Sequence, residues 1–238
     1  FSYVIGLGGG SSLDVAKFVA NQLNTKKILI PTTFGSGSEV TRISVLQIDG
    51  KKTSFHSDNL LANISIIDPY FIKNAPFEII KNSAIDACAQ CTEAFDSKLA
   101  NIYTKFLCEK AFDILEKALI DETYDNLAYG AMISGLGFGN SSTTLGHALS
   151  YVYSNEGISH GHALAFTTTI AHKFNDSKFY DRFKSLSDLL NFKPIKLNQN
   201  LEKAAELIQT DRKHLDYNPK NISNNEIIKL LSSINSLN

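Results

Sequence analysis

At 238 residues, with 43% hydrophobic and 20% charged side chains, the chain is long enough for one large domain or two modest ones around a real core. A formal net charge of -1 with both signs interspersed excludes the basic stripe of a nucleic-acid binder, and no run approaches the roughly 20 apolar residues that span a bilayer. The opening Phe1-Ser2-Tyr3-Val4-Ile5-Gly6 has no starting Met and no basic leader, so no signal peptide is expected. It reads as the middle of a fold whose upstream residues are missing.

Tyr3 to Ile5 is a short β-branched run ending in glycines, and Ser12 to Asn24 carries apolar residues at helical spacing. Lys27 to Pro31 is a second buried-strand candidate. Ile43 to Ile48 and Ile64 to Ile67 follow as strands, the first closed by the turn signal Asp49-Gly50. After Asp68-Pro69 the pattern becomes helical: Pro76 to Ser97, Ile102 to Leu119, Asp125 to Gly139 and Thr143 to Tyr153. Further helices are expected over Ala163 to Phe174, Tyr180 to Leu190, Leu201 to Asp211 and Asn225 to Ile234. We therefore expect an α/β nucleotide-binding portion over residues 1–69 and an all-helical portion over 70–238. The three cysteines (Cys88, Cys91, Cys108) fall in helical sequence. The Cys88/Cys91 pair lacks the second CxxC of a zinc or redox site, so buried thiols in a reducing cytoplasm are expected.

Gly8-Gly9-Gly10-Ser11-Ser12-Leu13-Asp14-Val15-Ala16-Lys17 joins a strand to a helix. Glycines let a backbone approach a phosphate, and the free N–H groups at a helix start favour an anion. The segment is neither GxGxxG nor a P-loop, and by itself it is equally a tight turn. Pro31-Thr32-Thr33-Phe34-Gly35-Ser36-Gly37-Ser38-Glu39-Val40-Thr41 follows the next strand, where an α/β sheet presents its ligand-facing loops. Its hydroxyls also suit turn capping, yet two such loops in succession favour a nucleotide site.

Asp86, Gln90 and Glu93 share one face of an otherwise apolar helix, and polar groups there must be paired or bound. Downstream lie His147, in Thr144-Leu145-Gly146-His147-Ala148-Leu149-Ser150-Tyr151, and His160-Gly161-His162. One carboxylate with two imidazoles suits Zn²⁺ or Fe²⁺ with a position left open. Each histidine taken singly reads as structural rather than as a ligand, and spacing alone does not join them to Asp86.

Taken in order, these segments and Ile67-Asp68-Pro69 resemble the iron-containing alcohol dehydrogenase family. The resemblance implies an α/β nucleotide-binding domain followed by a helical domain, with cofactor and metal between them, and a chain lacking the first strands. It assigns Gly8, Gly9, Gly10, Ser11 and Asp14 to the cofactor pyrophosphate, and Thr32, Thr33 and Ser36 to the path toward ribose and nicotinamide. Asp86, His147 and His160 match its metal-ligand positions. Two positions depart from its pattern: Gln90 and Tyr151 stand where the family usually has histidines. Gln90 offers only an amide oxygen to the metal, and Tyr151 or His162 would replace the other histidine as proton donor.

With these departures the chain resembles the branch that includes phosphonoacetaldehyde reductases. That implies reduction of a small aldehyde bearing a phosphonate, with NAD or NADP and a divalent metal (Fe or Zn), in the cytoplasm, and it admits a homodimer. Arg42, Lys51, Lys52 and His162 are the cations available to a dianion. No nucleic-acid or membrane partner is expected. Two other readings stand beside this one. A dehydroquinate synthase-like lyase is disfavoured by Asp86, since that relative uses Glu there. A non-catalytic nucleotide binder draws on Gln90, Tyr151 and the missing strands.

Overall fold

The computed structural model describes residues 2–48 and 51–237; the side chains of Lys51 and Lys52 lie outside what it describes, as does the turn signal Asp49-Gly50. Three parallel strands, β1 (Tyr3–Gly8), β2 (Lys26–Pro31) and β5 (Ile64–Ser65), form a sheet in the order β1-β2-β5. Tyr3 is in register with Lys26 and Gly8 with Pro31. Helix α1 (Gly10–Gln22) crosses from β1 to β2 and packs Leu13 and Ala16 with Leu29, Ala20 being buried on the same helix. Strands β3 (Ile43–Ile48) and β4 (Lys51–His56) make an antiparallel pair beside this sheet. The sequence pattern shows β3 but not β4, whose Lys-Lys-Thr-Ser-Phe-His lacks an apolar alternation.

The rest of the chain is helical: α2 (Phe77–Asp96), α3 (Ile102–Ile120), α4 (Tyr124–Phe138), α5 (Leu145–Asn155) and α6 (His160–Asn175), then α7 (Tyr180–Leu189), α8 (Leu201–Gln209), α9 (Arg212–Leu215) and α10 (Asn224–Asn235). The α/β portion followed by a helical one matches the expected fold class. Four-residue α9 is too short to leave a periodic signal.

Helix α2 is central. Ile80, Ala84, Ile85, Ala87, Cys88 and Cys91 join the core formed with α3 and α4. Burying a side chain such as Ile85, which is fully covered, contributes roughly 1.5–3 kcal/mol. A second core lies under α5, α6, α8 and α10, around Leu149, Val152 and Leu231. Cys88, Cys91 and Cys108 are all free and buried, as the sequence suggests. Among the described residues no helix is long and apolar enough to cross a membrane.

One buried charge orders the α/β portion. Lys17, fully covered on α1, donates to the carbonyls of Ser38 (2.8 Å) and Ile43 and to Ser38 Oγ (3.2 Å). Burial lowers its pKa to about 8, against the pull of Asp14 and Glu39. The helix of the first glycine-rich loop thus anchors the second loop by its backbone.

Candidate active site

A cleft of about 970 Å³ opens between the ends of β1 and β2 and the starts of α5 and α6. Gly10, Ser11, Asp14, Thr33 and Ser36 line one side of it, and Asp86, Gln90, His147, Tyr151 and His160 another. The site's parts, though scattered in sequence, are brought into one space.

A single stripe of α2 builds the polar half. Asn82, Asp86, Gln90 and Glu93 recur at helical spacing on one face. The Asp86 carboxylate reaches 3.7 Å from His147 Nε2 and 3.9 Å from His160 Nε2. One ligand atom from each of Asp86, His147 and His160 lies within 4.8 Å of the others. Such a carboxylate and two imidazole nitrogens are a donor set for a divalent transition metal. Gln90 Nε2 donates to Asp86 Oδ1 (3.0 Å), while Gln90 Oε1 is buried without a partner. A buried acceptor left over beside this set is what a bound ion or ligand would satisfy.

The same stripe positions the histidines. Neither Thr144, at the start of α5, nor Ser159, at the start of α6, caps its own helix by a side chain. Glu93 does so for α5: its carboxylate accepts from the N–H groups of Thr144 (2.9 Å) and Gly146, and from His147 Nδ1 (2.6 Å). Fixing Nδ1 as the donor leaves Nε2 toward Asp86. Asn82 Oδ1 does the same for α6, accepting from Ser159 Oγ (2.6 Å) and the His162 N–H (2.8 Å). His160 Nδ1 meets Ser150 Oγ (3.4 Å), which itself donates to the His147 carbonyl. Gly161 makes the approach possible, because a Cβ there would overlap the Asn82 backbone.

Burial alone would raise the Asp86 carboxyl, but His147, His160 and Gln90 hold it below its ordinary value. Glu93, whose burial also raises it, is held down by His147 and the Thr144 N–H. Burial in turn lowers His147, and the two carboxylates override it and lift its pKa to about 9.

On the loop side, the Gly10 backbone packs so closely that a Cβ would lie 2.7 Å from Ser36 Cβ. The two loops therefore form one cradle that admits only a bare backbone at Gly10. Gly8 ends β1, where its carbonyl accepts from the Thr32 N–H (2.9 Å), and Gly9 precedes α1. Asp14 is committed within the protein, accepting from Ser38 Oγ (2.6 Å) and the Val45 N–H (3.0 Å).

The two proton-donor candidates part company. The Tyr151 ring stacks on His160 (6.2 Å, 11°), and burial with the nearby carboxylates raises its hydroxyl pKa, so it stays protonated. His162 lies outside the cleft lining: its ring packs by Phe166 and Phe192 and its Nε2 meets the Lys193 carbonyl at 2.6 Å.

Other side chains of the cleft, His56, Lys213 and His214 among them, are not marked out by the sequence pattern. His214, on α9, is buried, holds Asp211 through Nδ1 (2.7 Å) and stacks on His147 (6.2 Å, 12°). The spacing Asp-x-x-His at 211–214 was its only signal.

The family model for the iron-containing alcohol dehydrogenase matches residues 1–69, and that for the C-terminal part of the Fe-containing alcohol dehydrogenase family matches residues 80–212. The 4-hydroxybutyrate dehydrogenase of Clostridium kluyveri is 30% identical over 220 residues, covering 80% of this chain and 59% of that protein. The long-chain-alcohol dehydrogenase 1 of Geobacillus thermodenitrificans is 34% identical over 195 residues, 69% of this chain and 49% of the relative. The chain thus spans half to three-fifths of these curated relatives. Among solved structures, the sulfoacetaldehyde reductase of Bifidobacterium kashiwanohense in complex with NAD+ superposes with a TM-score of 0.90 at 24% identity, covering 100% of this chain and 77% of that one.

Proposed function

The chain belongs to the iron-containing alcohol dehydrogenase family, and from that premise we propose that it transfers a hydride between NAD(P)H and a small aldehyde, forming the alcohol. The observation that carries this reading is the meeting of Asp86, His147 and His160 in a cleft whose opposite wall is the glycine-lined double loop. Asp86, His147 and His160 would hold an iron or zinc ion, with Gln90 Oε1 beside them. Gly10, Ser11, Thr33 and Ser36 would hold the dinucleotide. When bound, the nicotinamide supplies the hydride and the ion a Lewis acid for the carbonyl oxygen.

The protein's own groups supply orientation and a proton. Glu93 fixes the His147 tautomer, Ser150 orients His160, and Tyr151, its ring stacked on His160, lines the same cleft with its hydroxyl protonated. Tyr151 donates its proton to the product oxygen and recovers it from solvent, so aldehyde, NAD(P)H and one proton give alcohol and NAD(P)+. His162, turned to the Lys193 carbonyl, has no part in this step.

The finer reading is a small aldehyde with an acidic end, phosphonoacetaldehyde in particular. Gln90 and Tyr151 in place of the family's histidines support that branch. So do the anionic groups in the names of two relatives, a hydroxybutyrate and a sulfoacetaldehyde. The three buried, unpaired thiols suit a cytoplasmic setting. The lyase and non-catalytic readings find no support in relatives named as dehydrogenases and reductases.

The test is loss of nicotinamide absorbance when Fe²⁺- or Zn²⁺-loaded protein meets short aldehydes. Turnover is expected, and His147→Ala or His160→Ala should abolish it while dinucleotide binding survives. Full turnover in either variant removes the cluster from the reaction.

A further inference from the structure

We propose that the cleft holds a separate anion-binding corner, formed by Arg42, His56, Lys213 and His214, which takes the acidic end of the substrate. This inference rests on the aldehyde-reductase reading and names what that reading leaves open: which side chains recognise the charge.

All four residues line the cleft. They come from places far apart in sequence, Arg42 just before β3, His56 at the end of β4, and Lys213 and His214 on α9. Lys213 Nζ lies 3.0 Å from His56 Nε2, which also meets Ser54 Oγ at 2.9 Å. Among the described residues Lys213 has no carboxylate within ion-pair distance. The carboxylates nearby are weak competitors. Asp58 pairs with Arg42 at 3.2 Å, but both side chains are largely exposed, and such pairs contribute little. Asp211 spends its oxygens on His214 Nδ1. Desolvation lowers the His56 pKa, and Lys213 and Arg42 lower it further, so the imidazole stays neutral and accepts from Lys213 Nζ. Lys213 and Arg42 are thus the standing positive charges of the corner, with Asp211 acting on Lys213 only from beyond ion-pair distance, and a bound anion can meet both. Lys213 and Arg42 offer a point charge and a fork, the pair of donors that a carboxylate, sulfonate or phosphonate accepts.

The corner adjoins the ligand cluster because His214 stacks on His147 and meets the Tyr151 ring edge-on at 5.7 Å. A molecule whose carbonyl lies by Asp86, His147 and His160 therefore directs its other end here. Long, neutral alcohols find no such partner.

Calorimetric titration of the full chain, saturated with dinucleotide, with ethylphosphonate, ethanesulfonate, propionate and neutral 1-propanol tests this directly. At least one anion is expected to bind about tenfold or more tighter than 1-propanol, with Lys213→Met losing about tenfold of that affinity and Lys213→Arg restoring most of it. The ranking of the anions identifies the acid. In kinetics, the kcat/KM ratio of the matching acidic aldehyde over propanal should fall by a similar factor in Lys213→Met. Anions that bind no tighter than 1-propanol overturn the proposal. So does an equal loss of anion, 1-propanol and dinucleotide binding in Lys213→Met, which would make Lys213 a strut between the two walls. Lys213-dependent anion binding without turnover of any aldehyde sinks the reductase reading and leaves the corner standing. Equal reduction of propanal and acidic aldehydes does the reverse.

Discussion

Glu93 Oε2 lies 2.6 Å from His147 Nδ1 while the other side of the same imidazole faces Asp86, so one histidine is held between a buried carboxylate and a half-buried one. Glu93 also caps α5, and orientation and helix start are therefore set by one group. Glu93→Gln should weaken metal binding about 10- to 100-fold, since outer partners of ligand histidines carry effects of that size. Metal titration by equilibrium dialysis measures it. Retained affinity would show that His147 is oriented by packing alone.

The lifted pKa of His147 makes the metal-free protein sensitive to pH. With a folded value of about 9, above the ordinary 6.5, the stabilisation is complete below about pH 6.5 and fades as pH rises through 9. The stability difference between the parent and His147→Asn, from urea melts of metal-stripped protein, should therefore be larger at pH 6 than at pH 9.5. Metal competes with that proton, so its affinity should climb over the same range. A pH-independent difference would mean that His147 is neutral throughout.

Gly161 is the position at which α6 meets α2 without a Cβ between them. Gly161→Ala should force the two apart, costing roughly 1–3 kcal/mol in stability. It should also move His160 away from Asp86. A lower melting temperature together with lost metal binding is expected; loss of stability alone would show that the cluster tolerates the shift.

The thiols should be silent. Burial raises Cys108 to about 12 and Cys88 and Cys91 well above their ordinary range. Disulfide reagents should label none of them in the native protein and all three after unfolding. Rapid native labelling at Cys88 or Cys91 would reopen a redox role for the pair.

Gln90→His would restore an imidazole where Oε1 now lacks a partner. Metal affinity should rise on the order of tenfold, since imidazole is the better ligand. No gain in dialysis would mean that the α2 face cannot aim a ring at the cluster.

The order of strands and helices was legible because most elements carry either a β-branched run or a 3.6-residue apolar period. Helix α2 shows the limit of that signal. Its polar stripe could be read from spacing, and so could the need for partners, but not that Glu93 would cap a helix starting about fifty residues later. The contact is made by tertiary packing. For the same reason Lys213 and His56, whose nitrogens lie 3.0 Å apart, gave no hint of each other in the sequence. Strand β4 failed differently: its Lys-Lys-Thr-Ser-Phe-His sequence has no apolar periodicity to read.

The stripe on α2 has a bearing on how the protein assembles. Glu93 ties down the first turn of α5 and Asn82 that of α6, and Asp86 between them meets the imidazoles those turns bring in. No two ligand atoms of the cluster belong to the same helix, so none of it pre-exists in a collapsed chain with its helices formed but undocked. Capture of an ion during refolding should consequently be a late event, trailing the recovery of helical signal and coinciding with the locking of α5 and α6 onto α2.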